Sequence, residues 1–198
     1  DVVEVPTQPS GLGWLPDGRL LIVSMRDRKL LRREADGRLV THADLTGVAT
    51  GHCNDMAVDA QGRAWVGNFG FDLMSGAAVR TASLARVDPD GRVSEAARDL
   101  YFPNAIMPTP DGKRLIVNET LGNRLSVFDI AADGGLSARR DWAVFGPLVA
   151  AQSNLPFTIE RDGRTRELTI PVTRACSFAI ELGNADNVNA YADGGRVM

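Results

Sequence analysis

Apolar residues in this chain come in short runs, each introduced by a tight polar turn. Pro16-Asp17-Gly18-Arg19 leads into Leu20-Leu21-Ile22-Val23, and Ala60-Gln61-Gly62-Arg63 into Ala64-Trp65-Val66-Gly67. Pro110-Asp111-Gly112-Lys113-Arg114 leads into Leu115-Ile116-Val117. A second series falls between these: Ala35-Asp36-Gly37-Arg38-Leu39-Val40, Pro89-Asp90-Gly91-Arg92-Val93 and Ala132-Asp133-Gly134-Gly135-Leu136. Asp-Gly and Gln-Gly supply the positive φ of a tight hairpin. The aliphatic and β-branched runs that follow suit strands covered on both faces. Two interleaved hairpin series, each returning every ~45–50 residues, predict a radially repeated sheet, a β-propeller. On this reading Asp17, Asp36, Asp90 and Asp111 are turn formers, and site residues should sit at matching places in successive repeats.

Residues 1–145 read as strands: a hairpin over Gly11–Val23, then Lys29–Arg33 and Leu39–Ala43. Met56–Asp59 and Arg63–Asn68 form the inner strands of a second blade, with Ser83–Asp88 and Arg92–Ala96 outside them. Phe69–Val79 carries Gly, Asp and Ser without periodicity and reads as a loop, in which Phe69 and Phe71 either form an apolar lip or plug a blade interface. Ala105–Pro108, Arg114–Asn118, Leu125–Ile130 and Trp142–Phe145 make a third blade. No segment holds a helical period over more than two turns. After Gly146 the pattern degrades: Pro147–Pro156 shows no alternation, Arg161–Ile170 resumes a hairpin, Ser177–Leu182 suits a strand, and Asn184–Met198 reads as loop or tail.

Composition narrows the function classes. With 198 residues, 44% apolar, 24% charged and a net charge of −3, the chain is an ordinary globular one with a single sizeable core, read as one domain over 1–198. No basic stripe points to nucleic acid, and no Lys/Arg run or long apolar run points to a membrane. Cys53 and Cys176 stand far apart, which suits free thiols in a reducing compartment, with a disulfide as the alternative. A cytoplasmic location is the expectation, although a chain beginning at Asp1 leaves a leader open. His42 and His52 are the only histidines, too few for a multi-histidine zinc site. There is no Gly-x-Ser-x-Gly elbow and no phosphate-binding Gly-x-x-x-x-Gly-Lys loop. Glu119 ends an inner strand and is expected in a blade-edge salt bridge with Arg124 or Arg114.

Four stretches together resemble the SMP-30/gluconolactonase family of regucalcin-like lactonases. They are Ser10-Gly11-Leu12-Gly13-Trp14 before Pro16-Asp17-Gly18, Asn54-Asp55-Met56-Ala57-Val58-Asp59-Ala60-Gln61-Gly62-Arg63-Ala64-Trp65-Val66-Gly67, Phe102-Pro103-Asn104-Ala105-Ile106, and Arg174-Ala175-Cys176-Ser177-Phe178. The match is good over residues 1–145 and poor over 146–198. The resemblance implies an all-β, six-bladed propeller, for which ~45 residues per blade call for roughly 270 residues. The chain is therefore expected to lack internal residues of the later blades beyond Phe145, with a four-bladed closure as the alternative. The resemblance further implies a metal-dependent hydrolase, a lactonase or carboxylic ester hydrolase, that opens a sugar-type lactone at the channel mouth.

The same resemblance places Asn104 at a metal-ligand position, where an amide oxygen suits Ca²⁺, with Mg²⁺, Mn²⁺ or Zn²⁺ as alternatives. It places Asn54 and His52 against substrate. Read without it, Asn104 and Asn54 are turn-capping residues and His52 a loop residue. Two departures stand out. Ser10 occupies the place of the family's first ligand, a Glu, and so loses a charged ligand. The family's last ligand, an Asp that also serves as general base, has no counterpart after Gly146; Asp162-Gly163 has the turn but no second Asp. Two further readings stay open: a non-catalytic propeller binding a small molecule or a protein, and a metal-free enzyme like the strictosidine-synthase condensing enzymes.

Overall fold

The computed structural model describes residues 3–144, 154–161 and 164–171. Strands β1 (Pro9–Trp14), β2 (Leu20–Ser24), β3 (Lys29–Arg33) and β4 (Leu39–Asp44) form one antiparallel sheet in sequence order. Strands β5 (Cys53–Val58), β6 (Ala64–Asn68), β7 (Ala82–Val87) and β8 (Val93–Leu100) repeat the arrangement. So do β9 (Pro103–Pro108), β10 (Arg114–Glu119), β11 (Arg124–Ile130) and β12 (Leu136–Val144). A separate hairpin pairs β13 (Asn154–Arg161) with β14 (Arg164–Pro171). Each of the three meanders is one propeller blade, as the two interleaved turn series require.

The turns behave as their chemistry predicts. The carboxylates of Asp17, Asp36, Asp90, Asp111 and Asp133 each accept the backbone N–H two residues on. The glycine after each lies in the left-handed region, with φ between 66° and 88°. The Asp59-Ala60-Gln61-Gly62-Arg63-Ala64-Trp65 stretch is a more elaborate lock. Buried Asp59 accepts from the Arg63 backbone (3.0 Å), from Arg63 Nε (2.7 Å) and from Trp65 Nε1 (3.2 Å), and the guanidinium lies 5.8 Å from the indole centroid.

The core lies between blades. Every residue of β6 is buried. Because strand side chains alternate, Ala64 and Val66 face Leu21, Val23, Leu30 and Met56, while Trp65 packs with Leu84, Ile106, Leu115 and Phe128. Phe69 and Phe71 are buried, and the Phe69 ring stacks on Phe102, which immediately precedes β9. The first strands of successive blades approach closely, β1 against β5 and β5 against β9. A Cβ on Gly11 would come within 2.6 Å of the Met56 nitrogen, so that contact needs glycine.

Several boundaries differ from the sequence reading, those of the outer strands and of the later hairpin most. Strands β8 and β12 run further than expected, β8 to Leu100 and β12 from Leu136. These outer strands expose charged residues such as Arg98 and Arg140, which break the apolar alternation. Strand β13 begins at Asn154, inside the stretch read as patternless, and the hairpin turns after Arg161 instead of running from it. Short 3₁₀ turns occur at Leu73–Ser75, within the expected loop, and at Thr120–Gly122. Ser177–Leu182, Cys176 and the 184–198 tail lie outside the described residues.

Candidate functional site

The pairing of β1, β5 and β9 shows how the fold gathers its polar residues. Each of these first strands carries a β-bulge near its start. In β1, register resumes at Leu12↔Ile22 after Pro9↔Ser24; in β5, at Met56↔Val66 after Cys53↔Asn68. In β9, Ile106↔Val117 follows Asn104↔Asn118 and Pro103↔Glu119. Ser10, Asn54 and Asn104 thus hold the same bulge position in three successive blades. Gly11, Asp55 and Ala105 hold the next one. Bulges re-aim side chains at the rims of closed sheets, and here they bring three of the expected residues to one end of the propeller.

Asn54 is buried, and its Nδ2 donates to the Pro103 carbonyl at 3.0 Å. Its Oδ1 is buried without a hydrogen-bond partner among the described residues. A Cβ on Gly67 would lie 2.6 Å from that oxygen and overlap the Pro103 carbonyl, so glycine at this point lets the two blades meet. Asp55, which the sequence reading gave no role of its own, reaches Ala105 in the same strand as Pro103. Burial pushes its carboxyl up, while the N–H groups of Met56 and Ala105 hold it down in part. Asn54 and Asp55 therefore hold the chain on both sides of Asn104. The only sequence signal was the Asn-Asp pair itself, because its partners lie about fifty residues away. Ala105 adopts a φ of 28°, a conformation that favours glycine, at the tip of that bulge. Ser10 and Asn104 are half-buried.

His52 immediately precedes β5. Its carbonyl accepts from Phe69, whose ring stacks on Phe102 at 4.6 Å and tilts against the His52 ring at 6.1 Å. The imidazole also forms part of the wall of a cleft of about 200 Å³ lined by Arg26, Arg28, Thr50, Gly51, His52 and Asp72. Glu119 is wholly buried and bonded to Arg124 and Arg139, the first of which the sequence suggested. It belongs to the blade rather than to the mouth.

The donor set at the bulges consists of a hydroxyl and two amide oxygens. These are hard and uncharged, acceptable to Ca²⁺ or Mg²⁺ as part of a shell, but carboxylates set the affinity of such sites. No group of three or more His, Cys, Asp or Glu residues suited to a metal occurs among the described residues. The described residues alone do not fit a tightly held dication.

Comparison with known proteins identifies a family and a fold. A family model described as SMP-30/Gluconolactonase/LRE-like region matches residues 1–180. The calcium-binding protein regucalcin from Agrobacterium tumefaciens is 28% identical, with a TM-score of 0.57 over 71% of this chain and 46% of that one. A luciferin-regenerating enzyme is 16% identical, with a TM-score of 0.64 over 85% of this chain and 64% of that one. Virginiamycin B lyase from Staphylococcus aureus is 17% identical, with a TM-score of 0.53 over 70% of this chain and 42% of that one. The chain spans less than two thirds of each of these structures. The last two share the fold alone, and a lyase on the same scaffold shows that fold does not fix chemistry.

Proposed function

This chain belongs to the SMP-30/gluconolactonase/LRE-like family, and from that membership we propose that it is a lactonase-type hydrolase opening a sugar-like lactone at the bulge end of a six-bladed propeller. The observation that carries the reading is the equivalence of Ser10, Asn54 and Asn104 in three successive bulges. A family motif that were only structural would not need the same polar position in each first strand.

Hydrolysis of a lactone needs the carbonyl polarised, the ring oriented and a water deprotonated. The Asn104 amide, fixed on its bulge by Asn54 and Asp55, can orient a ring hydroxyl or the ester through its donor and acceptor faces. His52, standing on the aromatic row of Phe69 and Phe102, supplies a second polar contact at the edge of the cleft. Metal dependence on calcium, or on Mg²⁺, Mn²⁺ or Zn²⁺, belongs to the test and not to these steps, because the described donors are neutral. The expected general-base Asp likewise has no assignment among the described residues.

The neutral donor set favours a second reading, a propeller that binds a small molecule at the same mouth without turning it over. δ-Gluconolactone hydrolysis by the purified protein, followed by proton release with added Ca²⁺ and again after chelation, separates the two. The lactonase reading expects turnover that chelation abolishes and that Asn104→Ala lowers by at least tenfold. Saturable lactone binding without turnover, with Ca²⁺ or any of the other three cations, would establish the binding propeller instead.

A further inference from the structure

The cleft beside His52 has an unusual charge balance. Two of its six lining residues are arginines, and its one carboxylate, Asp72, accepts the Ser75 N–H across the 3₁₀ turn. Among the described residues neither Arg26 nor Arg28 forms a salt bridge, although most other arginines do, Arg63 and Arg124 included. Asp27 sits between them in sequence but is directed elsewhere, accepting from the Thr7 hydroxyl at 2.9 Å and facing Lys29 at 3.7 Å. Arg26 Nε reaches only Gln8 Oε1 at 3.3 Å, and Arg28 Nη1 donates to the Ala49 carbonyl at 3.0 Å. These neutral acceptors aim the two guanidinium groups; the carboxylates around them, Asp72 in the cleft and Asp44, which Arg28 helps hold below its ordinary value, bond neither.

The backbone adds a second observation. Arg28 lies in the left-handed region, at φ 54°. Its turn closes on the pair Ser24↔Lys29, and the equivalent turn of the third blade closes on Glu119↔Arg124. There the left-handed position is held by Asn123, at φ 49°. Asn tolerates this conformation and Arg disfavours it. Asp99, Phe102 and Ala138 also take positive φ, so the conformation alone does not mark a site; at Arg28 it accompanies a guanidinium held by the Ala49 carbonyl on the wall of the cleft.

We propose that the cleft between Arg26, Arg28 and His52 is an anion subsite that takes a phosphate or carboxylate substituent of the small molecule bound at the channel mouth. Guanidinium groups match both oxyanions bidentately, and a cleft of this size admits one such group beside a sugar ring. The substrate class that follows is an acidic or phosphorylated sugar lactone, or the acid it opens to. This rests on the hydrolase reading only in treating the bulge end as the ligand end.

The test uses the full chain at low ionic strength, with inorganic phosphate and glucuronate titrated by calorimetry into the wild type, Arg28→Asn and Arg26→Gln. Arg28→Asn restores the residue type of the third-blade turn, so its melting temperature should hold or rise. The expected result is saturable binding of one probe or both, weakened about tenfold or more in each variant, as loss of a charge-assisted hydrogen bond implies. Tighter phosphate binding assigns a phosphorylated ligand, and tighter glucuronate binding a uronate. Absence of saturable binding by both probes, or equal affinity in the variants, overturns the subsite. The hydrolase reading fails separately, if no lactone is turned over while phosphate or glucuronate still binds.

Discussion

Removing the Glu119 carboxylate tests how the third blade is held together. Its side chain is wholly buried, yet it receives the Tyr101 N–H at 2.9 Å, the Ser126 hydroxyl at 2.5 Å, Arg124 Nε at 3.1 Å and Arg139 Nη2 at 2.7 Å. In Glu119→Ala the two guanidinium groups, 28% and 30% exposed, can turn to water. Their contribution is thus far below the full penalty of an orphaned buried charge. Ser126 has no such escape, being wholly buried. A stranded donor costs about 1–3 kcal/mol, and the Tyr101 N–H adds a similar amount at the low end. With the cavity left by the side chain the sum is about 3 kcal/mol, which for a chain of this length lowers the melting temperature by roughly 6–12 °C. Arg139 also donates to the carbonyls of Arg98 and Asp99 across the blade interface, so the loss should reach the end of β8. Thermal and urea unfolding of the two proteins measures it. A shift below about 1 kcal/mol would refute the reasoning, since it would mean the buried donors find other partners. The acid limb supplies a second readout. Burial raises the Glu119 carboxyl, but the Ser126, Tyr101, Arg124 and Arg139 donors outweigh it and bring it below its ordinary 4.5. A depressed carboxyl adds stability above its unfolded value and loses it as pH falls through the folded one. Glu119→Gln should therefore lose less stability than the wild type on going from pH 5 to pH 3.

Two further outcomes follow from the blade contacts. Gly67→Ala places a methyl against the Pro103 carbonyl and Asn54 Oδ1, so it should destabilise the protein by about 1–3 kcal/mol and displace the Asn104 bulge, read as a lower melting temperature and weaker lactone binding together. Cys53 is wholly buried, and burial pushes its thiol up to about 12, so native protein should leave it unmodified by iodoacetamide at pH 8 while urea exposes it; rapid native labelling mapped to Cys53 by peptide mass would contradict that.

The repeat was legible because its turns are local. Asp-Gly needs only two residues to set a hairpin, and five such aspartates sit where the sequence places them. The most specific motif was also visible, but half of its meaning was not. Asp59, Arg63 and Trp65 lock a turn and fill a blade interface, whereas Asn54 and Asp55, at the start of the same stretch, brace a bulge in the next blade. That second role depends on Pro103 and Ala105, which no local pattern connects to it. The outer strands were hardest to bound, because one face meets solvent and charged residues such as Arg98 and Arg140 hide the alternation. The Arg26–Arg28 cleft was invisible for a related reason: an arginine at a left-handed turn position is conspicuous only once φ is known.

The bulges also constrain how a metal could be accommodated. Ser10 stands where the resemblance expects a carboxylate, and its bulge partners in the next two blades are amides. Three neutral oxygens leave a dication with its full charge, the buried Asp55 beside them is engaged by the Met56 and Ala105 N–H groups, and the cleft at His52 sets two arginines against one carboxylate, Asp72. Coulomb repulsion from two guanidinium groups works against a cation at the mouth and for an anion beside it. Charged ligands for a divalent ion would have to come from outside the Ser10, Asn54 and Asn104 set, whose donors are all neutral. An acidic substrate would ease the same imbalance from the other side, by bringing its own negative charge to the arginines.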